Sequence, residues 1–202
     1  MRPAIEKGAT RHRKDRVSGK PRLEAAENMK SSMQGVMGAA LLALTLAGGA
    51  TAQVSTNRVA ANTDWSVFVE GNPQTCWGVS APTETINTKD GKAVAVRRGD
   101  ILLFITYSPG KAGEVSFSGG YPFAPGSTVE LDIGGTKFDL FSDGEWAWSA
   151  SPEDDTKIIA VLKSGTSAIA TAHSARGTQT QDTFSLNGFS AAVDEASKRC
   201  AG

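Results

Sequence analysis

The chain is poor in the side chains that most metal and redox chemistry uses: 202 residues contain two histidines and two cysteines. Only one of the histidines, His173, lies beyond residue 52. A structural zinc site takes four ligands, mainly Cys and His, and Cys76, Cys200 and His173 are too few to build one. A hydrophobic run long enough to cross a membrane is also missing. The longest candidate, Val36 to Leu46, falls well short of the ~20 residues a spanning helix needs. Net charge is absent too, with 21 basic residues against 21 acidic ones. No Gly-x-Ser-x-Gly nucleophile elbow occurs anywhere.

What is present at the start is an export pattern. Met29 to Gln53 reads MKSSMQGVMGAALLALTLAGGATAQ: a charged beginning, an apolar stretch, and Ala50-Thr51-Ala52 before Gln53. That is the layout of a secretory signal peptide cleaved after Ala52. No cysteine follows the junction to carry a lipid, and the product is expected to be soluble. Residues 1–28 form a basic leader. Met29-Lys30 has the form of a normal signal start, so the leader reads first as lying upstream of the true start. A long n-region is the second reading and a nucleic-acid-binding arm the third.

The overall neutrality hides two unlike pieces. Residues 1–30 hold nine Lys/Arg against four Asp/Glu, whereas residues 53–202 hold twelve against seventeen, a net of −5. A mildly acidic unit of 150 residues is large enough for one real core, and its charge argues against nucleic acid or anionic lipid as partner. Both cysteines lie in that unit. An even pair in an exported protein is most simply a disulfide, here closing a loop of over 100 residues. Chain entropy values such a closure at about 4.7 kcal/mol.

After a polar lead over 53–63, the domain is expected to occupy 64–202 and to begin with Trp65-Ser66-Val67-Phe68-Val69. Short runs rich in β-branched and aromatic residues follow: 76–80, 93–97, 101–107, 114–118, 128–133, 137–141, 145–149, 168–173 and 183–186. Turn residues such as Asp90-Gly91, Pro109-Gly110 and Gly134-Gly135 separate them. Many short strands at this spacing predict an antiparallel sandwich or barrel. Val129, Leu131 and Ile133, with Phe138 and Leu140 across the Gly134-Gly135 turn, alternate as a β-hairpin does. Ile101 to Ile105 is apolar nearly throughout, as suits a strand covered on both faces or a central one.

Two segments follow the helical period instead. Ser151-Pro152-Glu153-Asp154 supplies a cap, a proline at the first helical position and acids where the helix dipole favours them. Ile158, Ile159, Val161 and Leu162 follow, with a Gly165 stop, predicting a helix at about 152–164. A C-terminal helix at about 188–199 places Phe189, Ala192, Val193 and Ala196 on one face. A disulfide from Cys200 would pin it to the edge near strand 76–80.

In this order the chain resembles the invasion-associated locus B proteins, exported envelope proteins of Gram-negative bacteria. The carriers are Trp65-Ser66-Val67-Phe68, Cys76-Trp77, Val96-Arg97-Arg98-Gly99-Asp100, Gly119-Gly120-Tyr121-Pro122-Phe123, Gly144-Glu145-Trp146-Ala147-Trp148, and Ser174-Ala175-Arg176-Gly177-Thr178 leading through Asp182-Thr183-Phe184 to Cys200. The resemblance implies an immunoglobulin-like antiparallel β-sandwich. Some relatives in pathogens are associated with entry into host cells; the resemblance implies no catalytic residues.

Candidate chemistry is thin. His173, Ser174 and Asp182 are the only material for nucleophilic catalysis, and strand neighbours such as His173 and Ser174 point to opposite faces. Glu153-Asp154-Asp155 lacks calcium-loop spacing and is explained by helix capping. Trp146 and Trp148 share a face and are first expected in the core, against the 151–164 helix. A partner contact comes second, and stacking on sugar rings with Asp143 and Glu145 as acids comes third. Arg97, Arg98 and Arg176 read as turn residues first and partner contacts second. The combined expectation is a non-enzymatic envelope protein, without metal or cofactor, that binds another envelope protein or a host surface. It would be periplasmic, outer-membrane-associated or secreted. The alternatives are a carbohydrate-binding module or carboxylate-based glycan hydrolase using Trp146, Trp148 and Glu145, and a periplasmic assembly factor with a free sheet edge.

Overall fold

A computed structural model describes residues 57–200. The basic leader, the signal segment and the Ala52–Gln53 junction lie outside the described residues. In chain order the strands are β1 (Arg58–Asn62), β2 (Trp65–Glu70), β3 (Thr75–Ser80), β4 (Glu84–Lys89), β5 (Lys92–Ala93), β6 (Leu102–Tyr107), β7 (Glu114–Ser118), β8 (Thr128–Ile133), β9 (Thr136–Asp143) and β10 (Trp146–Trp148). Helix α1 (Pro152–Ser164) follows, then β11 (Ser167–His173), β12 (Gln179–Ser185) and helix α2 (Phe189–Cys200). The fold is mainly β, as the strand spacing predicts.

All twelve strands join one antiparallel sheet in the order β1-β2-β3-β6-β7-β10-β9-β8-β11-β12-β4-β5. The sheet bends over on itself, which gives a sandwich-like core from continuous hydrogen bonding rather than from two separate sheets. Contacts between distant strands record the bend. Phe117 on β7 meets Phe184 on β12 edge to face at 6.1 Å, and the Trp65 indole N–H on β2 donates to the Ser185 carbonyl at 2.9 Å. Between the layers Val67, Leu103, Ile105, Val115, Leu131 and Leu140 are fully buried.

Local sequence explains most of the elements. In the β8–β9 hairpin Ile133 pairs with Thr136, and the two residues between, Gly134 and Gly135, take φ of 59° and 92°. That left-handed pair is what a tight hairpin turn requires. Helix α1 starts as its cap residues predict: the Ser151 hydroxyl accepts from the Asp154 amide at 3.2 Å and donates to the Asp154 carboxylate at 3.1 Å. At the other end the Gly165 amide donates to Val161 and Leu162 carbonyls. Asp155 is buried and fastens α1 to the sheet, accepting from the Val115 amide at 2.7 Å and the Ser149 hydroxyl at 2.6 Å.

The disulfide is present between Cys76 and Cys200, with Cα atoms 5.7 Å apart. Its position in the sheet corrects one expectation. Strand β3 is not an edge; it lies between β2 and β6. Helix α2 therefore lies across the inner face of β1, β2, β3 and β6, where Gly78 has no side chain to hold Ala192 and Val193 away. Two further corrections concern strands. Arg58–Asn62, inside the expected polar lead, pairs with β2. The run 93–97 ends as a strand at Ala93, while the polar segment Glu84–Lys89 pairs with β12.

Candidate functional site

Two surface features gather the residues singled out in the sequence. The first is an aromatic row on the outer face of the sheet. In β10 the residue facing the core is Ala147, fully buried opposite Phe117. Trp146 and Trp148 consequently face outward, which overturns the expectation that they pack in the core against α1. The reason is space: Phe117, Phe123 and Leu140 already fill the interior there, and the strand alternation then leaves only the outside for the larger rings. Trp146 remains 40% exposed and Phe141 on β9 49% exposed.

The rings lie close together. Phe104 to Trp146 is 5.5 Å between centroids, Trp146 to Trp148 is 6.3 Å at 20°, and Trp148 to Phe141 is 5.6 Å at 29°. Farther along the same face Phe68 on β2 stacks on Trp77 on β3 at 5.8 Å. Val79, paired with Phe104, joins the two groups. Both helices pack on the inner side, so among the described residues no element covers this row. Beside it a groove of about 490 Å³ runs between Glu114, Phe141, Trp148 and the start of α1.

The second feature is a cavity of about 390 Å³ whose lining includes Arg97, Arg98, Tyr121, Glu145 and Arg176. The sheet topology brings together four segments distant in sequence: 96–98, 120–122, Glu145 in the β9–β10 turn, and 174–178. Arg97 and Arg176 are exposed at its rim. Arg98 is not available to a partner: its side chain is 5% exposed and forms a two-pronged ion pair with the fully buried Asp182, at 2.7 and 2.6 Å. The Arg98 Nε–H donates to the Gly119 carbonyl at 2.9 Å, and its guanidinium lies 5.0 Å over the Tyr121 ring. Thr85 donates a further hydrogen bond to Asp182 at 3.0 Å. Burial raises the pKa of the Tyr121 phenol, with the Thr180 hydroxyl and Arg98 opposing that shift.

The elements of a nucleophilic triad do not converge. Asp182 is bound to Arg98, His173 is exposed at the end of β11, and the Ser174 hydroxyl accepts from the amides of Arg176 and Thr178 in a turn. Among the described residues no three His, Cys, Asp or Glu side chains are placed to hold a metal ion. Asp154 pairs instead with Lys157 at 2.8 Å. No described helix is long and apolar enough to cross a membrane. The Arg98–Asp182 pair carried no sequence signal, since 84 residues separate its members.

No protein-family model matches the chain, and no curated protein matches it. Among solved structures it is similar to invasion associated protein B from Bartonella henselae, with a TM-score of 0.49 and 14% identity, over 69% of this chain and 96% of that one. The likeness is distant.

Proposed function

We propose that this chain is an exported, disulfide-closed envelope protein that acts by protein–protein contact rather than by catalysis, using the outer aromatic face. The observation that supports this most is the uncovered row Phe104, Trp146, Trp148 and Phe141, with Trp146 and Phe141 at 40% and 49% exposure. Contiguous exposed aromatic surface is costly in water and marks contact sites, and Trp, Tyr and Phe are enriched at interfaces. The sequence resemblance to invasion-associated locus B proteins is what supports an envelope protein or a host surface protein as the partner. An assembly factor is less well supported, because the sheet ends in a two-residue strand on one side and a bulged strand on the other, forms that resist strand addition.

A second reading is favoured by one observation. Trp146 and Trp148 are within 20° of parallel with Glu145 adjoining, and such rings can stack on sugars. The Trp146→Ser/Trp148→Ser protein separates the readings. Loss of the protein from a defined high-mass complex in mild detergent extracts, with no oligosaccharide protecting wild-type tryptophan emission from acrylamide, supports protein contact. Protection by an oligosaccharide with no change in complex formation supports the glycan reading and refutes the first.

A further inference from the structure

We propose that the cavity flanked by Arg97 and Arg176 is a carboxylate-recognition site that takes an acidic segment of the protein partner. This rests on reading the chain as a protein-binding protein. The described residues contain five arginines, and three of them line this one cavity, although residues 53–202 are acidic overall. Arg98 is balanced by Asp182. Among the described residues neither Arg97 nor Arg176 has a carboxylate within ion-pair distance. With Glu145 counted, the open part of the cavity carries an excess of one positive charge. One carboxylate matches it.

Both arginines stand on ordered backbone. The Gly99 amide donates to the Gly120 carbonyl at 2.8 Å, which holds the Arg97–Arg98 segment against the Gly119–Tyr121 turn. The Arg176 turn is closed by the Ser174 amide on the Thr178 carbonyl and the Gly177 amide on the Ser174 carbonyl, both at 2.9 Å. The backbone carrying each arginine is thus ordered before binding, and the planar guanidinium forks match a carboxylate. Tyr121, Pro122 and Val96 offer apolar surface for the methylenes behind an acidic head group.

The chemistry around the rim favours a peptide over a dense polyanion. Glu145 repels repeated sulfate or phosphate but can accept a backbone N–H beside a bound carboxylate. Val96, Tyr121 and Pro122 line the same cavity as the arginines, so apolar residues beside an acidic one have a surface to meet there. A chain alternating acidic and apolar residues matches that combination.

The test is an NMR titration of the ¹⁵N-labelled, disulfide-bonded protein with acetyl-Leu-Glu-Leu-Glu-Leu-amide, its Gln counterpart, and a heparin octasaccharide. The Glu peptide is expected to give saturable shifts at Arg97, Gly120, Arg176 and Gly177. The Gln peptide and the Arg97→Gln/Arg176→Gln protein are each expected to bind about tenfold more weakly or worse. An unchanged thermal transition shows that the variant folds. Equal affinity for the Glu and Gln peptides, no saturable shift, or heparin binding in place of the Glu peptide overturns the proposal. If Trp146→Ser/Trp148→Ser still abolishes the partner complex, such a failure removes only the acidic partner; if it does not, the protein-binding reading fails as well.

Discussion

Substituting Arg98 by Met tests the buried ion pair that joins the 97–100 segment to β12. The Asp182 side chain is fully buried and Arg98 is 5% exposed. Removing the guanidinium takes away both prongs on Asp182 and the Gly119 hydrogen bond, leaving the Thr85 hydroxyl as the side-chain donor to a buried carboxylate. Breaking one side of such a pair costs about 3–5 kcal/mol, because the remaining charge is neither solvated nor compensated. With a urea m-value of about 2 kcal/mol/M, the unfolding midpoint falls by about 1.5–2.5 M. Arg98→Met/Asp182→Leu removes both charges and is expected to be clearly more stable than the sum of the single changes, by about 2 kcal/mol or more. Equilibrium urea melts of the four proteins, followed by tryptophan emission, give the cycle. A loss below about 1 kcal/mol for Arg98→Met, or strict additivity, would refute the reasoning.

Reducing the Cys76–Cys200 bond, or replacing both residues with serine, is expected to cost about 2–5 kcal/mol and to raise hydrogen exchange first in α2, which the bond ties to β3; equal exchange in α2 with and without the bond would contradict this. Both tyrosines should ionise late: burial, then Asp194, pushes Tyr107 up to about 12, and burial raises Tyr121 as well. Between the unfolded pKa near 10 and the folded value the native state keeps a proton that the unfolded chain has lost. The Tyr107 contribution is therefore intact below pH ~10 and lost as pH rises toward 12, by about 2–3 kcal/mol. Phenolate absorbance should appear together with alkaline unfolding, and ionisation near pH 10 in the still-folded protein would be the contrary result. Gly120→Ala should destabilise by more than about 1 kcal/mol in thermal melts, since φ is +69° and a Cβ would lie 2.6 Å from the Gly99 carbonyl oxygen; an unchanged transition counts against the close approach of these two backbones.

Those parts of the fold specified by neighbours in sequence were legible there. Cap, proline and glycine mark α1 at Pro152–Ser164, the Gly134-Gly135 pair marks the β8–β9 turn, and an even pair of cysteines, Cys76 and Cys200, marks the disulfide. The misread parts depend on partners far along the chain. Glu84–Lys89 has one large apolar residue, Ile86, and it is exposed near the sheet end, so no alternation identifies the strand. In Trp146-Ala147-Trp148 alternation fixes that the two rings share a face but not which face; Phe117 on β7 decides that. Arg97 and Arg98 likewise look equivalent until Asp182 is placed beside one of them. The candidate site was thus visible as residue types, while its division into a buried brace and an exposed pair needed the structure.

Whether the outer aromatic face is the working surface is decided by photo-crosslinking in intact cells, with benzoylphenylalanine at Trp148 or Trp77 and, as control, at Ala160 on the exposed side of α1. The predicted result is a discrete adduct with one protein from positions 148 and 77, weakened by Trp146→Ser and absent from position 160. Equal adduct patterns from positions 148 and 160, or none from 148, would contradict it.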